Sequence, residues 1–248
     1  MSISDVGHAK NVSNLQSLNQ SCIGFGDKYN PSNDDISLTS LQSLHTKSLN
    51  SVKAVDTAKT PFKNAVGARA LVFQPLSKLT TRINNALDSS KVSKPVIKSA
   101  KTLTRKLQGK RASDAEKPEI PNPEAPAEET SKSYSASQMS FDDRVDNFGE
   151  LIEILAGQPE YKPNEDDLTV ASLTALHTNM TTVNDAVKVI SPPYNNAIIA
   201  RDVILYTDET GLVDIAGKVK KYIKSVYGGN SPQYKQVSGL KFTKPGKK

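Results

Sequence analysis

The sequence predicts an all-α protein of two tandem, internally duplicated up-and-down bundles, each with about four helices, joined by a disordered linker. Three observations predict this architecture: an internal repeat, apolar residues at helical spacing, and a Pro/Glu/Ala/Ser-rich segment between the two copies. The 248 residues suffice for two domains with separate hydrophobic cores.

The repeat aligns without gaps at an offset of 132 residues. YNPSNDDISLTSLQSLHT begins at Tyr29, YKPNEDDLTVASLTALHT begins at Tyr161, and 16 of 41 positions from each tyrosine onward are identical. Weaker similarity extends to both sides. We therefore expect a flexible N-terminus at 1–10, a basic first repeat at 11–111, a linker at 112–139, and a second repeat at 140–248 that ends in a basic tail.

The second repeat shows the clearer helical pattern. A first helix is expected around Phe148 and ends at Gly157, and the last helix spans 212–226 and stops at Gly228. Between them, an apolar seam with 3-4-3-4-3 spacing predicts a helix that Asn164 caps together with Asp167. Its members are Leu173, Leu176, Met180, Val183, Val187 and Ile190. We expect Pro192 and Pro193 to end this helix and start another, on whose apolar stripe Arg201 lies.

The first repeat follows the same plan with a weaker seam. Ser48 and Ser51 stand where the second repeat has Met180 and Val183. Since less apolar surface is then buried, we predict that the first repeat is the less stable of the two. The linker at 112–139 contains almost no large apolar side chains, so it cannot offset the entropy of ordering.

The bulk composition narrows the function classes. The sequence has no apolar run long enough to span a membrane and no secretory signal, so we expect a cytoplasmic protein without a transmembrane segment. Cys22 is the single cysteine, so an intramolecular disulfide is ruled out. We interpret Cys22 as a buried or inert thiol. The net charge of +6 is unevenly distributed along the chain. Residues 29–111 form a basic segment, with 15 basic and 4 acidic side chains.

A cationic stripe within 91–111 is the most suggestive candidate site. Its residues are Lys91, Lys94, Lys98, Lys101, Arg105, Lys106, Lys110 and Arg111, and apolar residues occupy the opposite helical face. Such a face could contact phosphates of a nucleic acid or an anionic membrane surface. A solvated face, or one that docks on the acidic region 112–160, is an equally good interpretation.

Other candidates have structural interpretations. Arg69 and Arg201 are equivalent in the repeat and lie on apolar stripes, so each needs a partner; a buried ion pair, for instance with the helix-start acids, is favoured over a ligand site. Those acids, Asp34-Asp35 and Asp166-Asp167, suit helix N-termini. His45 and His177 have no second His at ligand spacing. We therefore expect no catalytic residues, no metal and no cofactor.

Two segments carry a resemblance. YKPNEDDLTVASLTALHT and VKKYIKSVYGGNSPQYKQVSGLKFTKP resemble an uncharacterised family of helical-bundle proteins in Bacteroidetes bacteria, with SPQYKQVSGLKFTKP as the most distinctive part. The resemblance implies a helical fold and carries no activity, cofactor or partner.

The sequence thus predicts a non-enzymatic interaction, scaffold or assembly protein whose partner is another protein or a second copy. Two units on a flexible tether would suit bivalent binding. The alternative is a nucleic-acid or anionic-surface binder that acts through the basic helix at 91–111.

Overall fold

A computed structural model of the chain describes residues 5–110 and 139–246. The all-α prediction is confirmed, since every regular element in these two ranges is a helix. None of the described helices is both long and apolar enough to cross a membrane. The helices are α1 (Asp5–Gly24), α2 (Leu38–Phe73), α3 (Leu76–Asp88), α4 (Lys94–Leu107), α5 (Phe141–Ala156), α6 (Val170–Tyr206), α7 (Leu212–Tyr227) and α8 (Pro232–Ser238). Arg111 and most of the expected linker, residues 112–138, lie outside the described residues.

Several helix ends are where the sequence predicts them. Ser140 caps α5 by accepting a hydrogen bond from the Asp143 main-chain N–H at 3.0 Å, and Gly157 follows its last residue. Gly228 follows α7 with a φ of 86°, a conformation that favours glycine. The N-terminus differs from the prediction, since α1 begins at Asp5 and His8 is buried within it.

Two long helices continue through proline, contrary to the expected breaks. α2 has 36 residues and contains Pro61, and α6 has 37 residues and contains Pro192 and Pro193. Proline removes the N–H that would bind the carbonyl four residues earlier. Here those carbonyls belong to Thr57, Lys188 and Val189, which are all exposed, so water can hydrate them. The cost of each proline is thereby reduced, and the flanking apolar stripes keep the helix intact.

The most similar stretch of the two repeats forms a loop closed by a tyrosine. The Tyr29 hydroxyl donates a hydrogen bond to the Ile36 carbonyl at 2.6 Å, and the Tyr161 hydroxyl donates to the Leu168 carbonyl at 2.9 Å. Burial raises the pKa of Tyr161 to about 12, so this donor stays protonated. The repeated tyrosine thus has a structural role, which is to close this loop by a hydrogen bond in both repeats.

The predicted capping box at Asn164 and Asp167 is wrong. A 3-10 turn over Asp166–Leu168 intervenes, and α6 starts only at Val170. Its cap is the Thr169 hydroxyl, which accepts a hydrogen bond from the Ser172 N–H at 3.3 Å. The Ser37 hydroxyl accepts from the Ser40 N–H at 3.2 Å at the start of α2.

The helices form two compact units that do not follow the repeats in chain order. The central unit is Asn64–Val189, and the terminal unit comprises the described residues of Met1–Lys63 and Ile190–Lys248. The boundaries fall inside α2 and α6. Because neither helix breaks at its prolines, the chain does not turn back there, and each unit combines one half of each repeat. This differs from the expected units at 11–111 and 140–248.

The central unit packs the C-terminal part of α2, α3 and α4 from the first repeat against α5 and the start of α6 from the second. Leu173 and Met180 of the predicted seam are fully buried, so the seam is part of a closed core. The expected linker connects α4 to α5, two helices that pack in the same unit. In chain order this segment thus falls within one compact unit, whereas the sequence analysis placed it between two units.

The terminal unit packs α1 and the start of α2 against the end of α6, α7 and α8. Its core contains Leu15, Leu18 and Leu41 from the first repeat and Leu205, Leu212 and Ile223 from the second. Cys22 is also buried here, which raises the pKa of its thiol to about 12 and keeps it protonated.

Ser48 and Met180, equivalent positions in the repeat, provide a test of local stability. Both side chains are fully buried, but the Ser48 hydroxyl has no hydrogen-bond partner among the described residues. Ser48→Ala removes an unsatisfied polar group, so we expect it to raise the free energy of unfolding by about 1 kcal/mol. Met180→Ala should lower it by about 2–5 kcal/mol because it leaves a cavity.

Urea unfolding of the full chain measures both changes, with Ser43→Ala on the exposed face of α2 as the control. A loss of stability in Ser48→Ala would show that its hydroxyl has a partner and would contradict this account of the weaker seam.

Candidate functional site

The basic stripe predicted within 91–111 forms the solvent face of α4. Lys91, Lys94, Lys98, Lys101 and Lys110 are exposed, whereas Arg105 and Lys106 are half-buried. Ala100, Leu103 and Leu107 face inward and belong to the core of the central unit. Pro95 lies in the first turn, where its missing N–H costs nothing. Arg111 lies outside the described residues.

The acids around α4 are mostly engaged elsewhere. Lys101 forms an ion pair with Asp88 at 2.7 Å, and both side chains are about half exposed. Asp142 of α5 pairs with Lys188, and Asp143 accepts a hydrogen bond from the Ser140 hydroxyl. Within residues 91–110, no other ion pair to a described acid is present. Among the described residues, the charge of α4 is therefore not neutralised by α5; the acids of 112–138, the other docking partner suggested by the sequence, lie outside the described residues.

Arg69 belongs to a polar cluster of the central unit. Its Nη1 donates to Asn184 Oδ1 at 3.1 Å, and its guanidinium lies 3.8 Å from the centre of the Phe141 ring. Asn184 in turn donates to Asp142 Oδ1 at 2.7 Å. The pKa of Asp142 is lowered, chiefly by the hydrogen bond from Lys188. Arg69 is thus held by an amide and an aromatic ring, not by a helix-start acid.

Arg201 is buried in the terminal unit and pairs with the next residue in the chain. Its Nε and Nη2 donate to Asp202 Oδ1 at 2.9 and 2.8 Å. The helix-start acids that the sequence suggested as partners are used differently, since Asp167 binds Arg82 through both carboxylate oxygens. Both repeated arginines therefore have structural partners, but neither has the expected one.

The histidines show no ligand geometry. His177 packs against α5, where a Cβ added to Gly149 would lie 2.9 Å from its Nε2, and its ring lies 6.3 Å from that of Phe148. His45 is likewise half-buried on α2. The described residues contain no group of three or more His, Cys, Asp or Glu side chains that could hold a metal ion.

A second site, which the sequence analysis missed, holds the residues that follow α8. Residues 240–244 follow α8 without regular secondary structure and are called the strap. Leu240 and Phe242 are half-buried against the core, and Lys241 and Thr243 are exposed. This alternation is that of a β-strand with one buried face.

Buried polar side chains of α1 bind the main chain of the strap. Asn11 Nδ2 donates to the Thr243 carbonyl at 2.9 Å, and the Thr243 N–H donates to Asn11 Oδ1 at 3.1 Å. Asn14 Nδ2 donates to the Lys241 carbonyl at 2.7 Å. From α7, Lys220 Nζ donates to the carbonyls of Ser238 and Leu240 at 2.8 and 3.0 Å. Burial lowers the pKa of Lys220.

The end of the strap is held by charge. Lys244 Nζ lies 2.8 Å from an Asp208 oxygen and 2.9 Å from an Asp214 oxygen. The Glu209 N–H also donates to Asp214 at 2.9 Å, which fixes the turn before α7, where Glu209 has a φ of 66°. We call the surface formed by Asn11, Asn14, Lys220, Asp208 and Asp214 the strap groove.

The equivalent asparagine in the central unit behaves differently. Asn147, which aligns with Asn14, donates to the Asp143 carbonyl one turn earlier in its own helix. The face of α5 is covered by the helix α4, whose main-chain groups bind one another and offer nothing to an amide. In α1, the polar residues His8, Asn11 and Asn14 lie at three-residue spacing on the inner face, a signal in the sequence that marks a site needing polar partners.

The charge contacts of the strap predict a pH window for its docking. Lys244 holds the pKa of Asp214 below its usual range, and Asp208 with Asp214 raises that of Lys244. The stabilisation from Asp214 is therefore present above its unfolded pKa of about 3.9 and is lost as the pH falls through its folded pKa. The stabilisation from Lys244 is present below its unfolded pKa of about 10.4 and is lost as the pH rises through its folded pKa. Glu209 and Lys218 are the other charges nearby.

We expect the Thr243 amide resonance to keep its docked position from about pH 4 to pH 10 and to shift below and above this range. The Leu168 amide, in the central unit, serves as the control in the same NMR spectra. A Thr243 signal that stays docked at pH 3 while Leu168 remains folded would contradict the role of these ion pairs.

Comparisons of this chain with protein-family models, with curated proteins and with solved structures find no match. The resemblance to a helical-bundle family of Bacteroidetes therefore receives no support from them. Function has to be inferred from the geometry of the strap groove and of α4.

Proposed function

We propose that this protein is a non-enzymatic interaction module whose strap groove binds an extended peptide segment. The observation that carries the proposal is the set of hydrogen bonds from Asn11, Asn14 and Lys220 to main-chain atoms of the strap. Many interaction domains bind peptides by recognising the main chain of an extended segment. This mode supplies affinity with little dependence on the peptide sequence.

The groove also has features that select side chains. Alternate strap residues, Leu240 and Phe242, pack on the core of the terminal unit. The carboxylates of Asp208 and Asp214 surround the ammonium group of Lys244. A ligand that fits therefore has two apolar residues in alternate positions, the second of them aromatic, followed two residues later by a lysine.

The polar side chains of the groove are engaged in holding main-chain groups, which supports a binding role over a catalytic one. Asn11 uses both its donor and its acceptor on Thr243. Amides cannot act as general acids or bases at neutral pH.

Peptide binding can be tested on the full chain after its own strap has been weakened. We define the strap-deficient variant as Phe242→Ala with Lys244→Glu, which removes an apolar contact and reverses a charge. A fluorescent peptide of sequence SGLKFTKPG, residues 238–246, should bind this variant and raise the fluorescence anisotropy. Adding Asn11→Ala and Asn14→Ala should weaken binding by about a hundredfold, since together they remove three hydrogen bonds of about 1 kcal/mol each.

The matched control adds Asn50→Ala and Asn195→Ala, two exposed asparagines of the terminal unit. Equal affinity of the control and of the Asn11/Asn14 variant would show that the groove does not bind the peptide, and circular dichroism verifies that each variant is folded.

The second candidate function is binding of a nucleic acid through α4. It is favoured by one observation: residues 91–110 contain seven basic and no acidic side chains, and five of the lysines are exposed on the solvent face. A phosphate-binding surface of this kind should lose affinity steeply as the salt concentration rises, because binding releases condensed counterions.

Duplex DNA and RNA binding across a salt series tests this candidate. The variant Lys91→Glu/Lys94→Glu/Lys98→Glu reverses exposed charges and leaves the Lys101–Asp88 pair intact. If α4 is the contact surface, this variant should bind at least about tenfold more weakly and with a smaller salt slope. The control, Lys47→Glu/Lys53→Glu/Lys235→Glu, changes the net charge equally in the terminal unit. Equal losses in both variants would point to a general charge effect and would contradict a site on α4.

A further inference from the structure

We propose that the strap groove of one copy of this protein binds the strap of a second copy. This inference rests on the proposed function, since it names the partner of the same groove. The residues that hold the strap come from α1, from α7 and from the turn before α7, none of which is part of the strap itself. A strap from a second copy would meet the same groups, and its sequence satisfies every feature of the groove.

The connection to the strap permits such an exchange. α8 and the strap follow Gly228 and Gly229, and α8 has only seven residues. A Cβ added at Gly228 would meet nothing within 4 Å, and its φ of 86° gives this junction a conformation that other residues rarely adopt. α8 is held chiefly by Val237, which is fully buried, and by apolar contacts of Tyr234. Because glycine can adopt a wide range of φ and ψ angles, a rotation at Gly228 and Gly229 would move α8 and the strap together.

The architecture of the chain already uses this kind of complementation. α5 of the second repeat is covered by α4 of the first, and α1 of the first repeat is covered by α8 and the strap of the second. In both units, the first helix of one repeat packs against the last element of the other repeat and not against that of its own. Each unit is closed by elements from both repeats. Closing the terminal unit with the strap of a second copy therefore requires no contact that a single chain does not already make.

Exchange of an identical element between two copies is a low-cost route to a dimer. It competes with docking in the same chain, which has the advantage of a high effective concentration.

Mixing two complementary full-length variants tests the exchange. The groove-deficient variant, Asn11→Ala with Asn14→Ala, keeps an intact strap, and the strap-deficient variant keeps an intact groove. Neither can close its own terminal unit fully, but one strap and one groove are intact in the pair. We expect each variant alone to be monomeric and the equimolar mixture to contain a 1:1 heterodimer, measured by light scattering after size-exclusion chromatography.

Three results would overturn the inference. If the mixture stays monomeric while the strap-deficient variant binds the SGLKFTKPG peptide, the groove binds peptides but not a second copy. If that variant binds neither the peptide nor the groove-deficient protein, the proposed function fails as well. If either variant dimerises alone to the same extent as the mixture, association does not use the groove.

Discussion

The continuity of α2 and α6 through their prolines is the constraint on which the rest of the fold depends. A break at Pro61 and at Pro192 would let each repeat close on itself. Because the carbonyls that lose their donors are on exposed residues, water can hydrate them and the helices persist. Each unit must then be completed by elements of the other repeat, as the observed cores show.

The two repeats have diverged most in the element that covers their first helix. α5 is covered by the regular helix α4, and its Asn147 turns back to a carbonyl of its own helix. α1 is covered by a short helix and by the strap, whose main-chain groups are bound by Asn11 and Asn14. The central unit thus has a closed core with a basic outer face, and the terminal unit has a groove that holds the strap.

Much of the fold could be predicted from the sequence, because helical periodicity and glycine stops depend on local residues. The ends of α5 and α7 and the burial of Leu173 and Met180 followed from such patterns. The composition of the units could not be predicted, since it depends on whether a proline ends a helix. That depends on the exposure of the residue four positions earlier in the folded chain. The strap groove was missed because its ligand is a main chain, which has no sequence signature, although the buried polar residues of α1 are visible as a pattern.

The central claim, that each compact unit combines both repeats, is tested most directly by nuclear Overhauser contacts between phenylalanine rings. Phe73 of the first repeat and Phe141 of the second have ring centres 4.9 Å apart in the central unit. The account predicts a strong cross-peak between their ring protons in the full chain. If each repeat closed on itself, Phe141 would instead contact Leu205, the residue equivalent to Phe73, and that cross-peak would contradict the account.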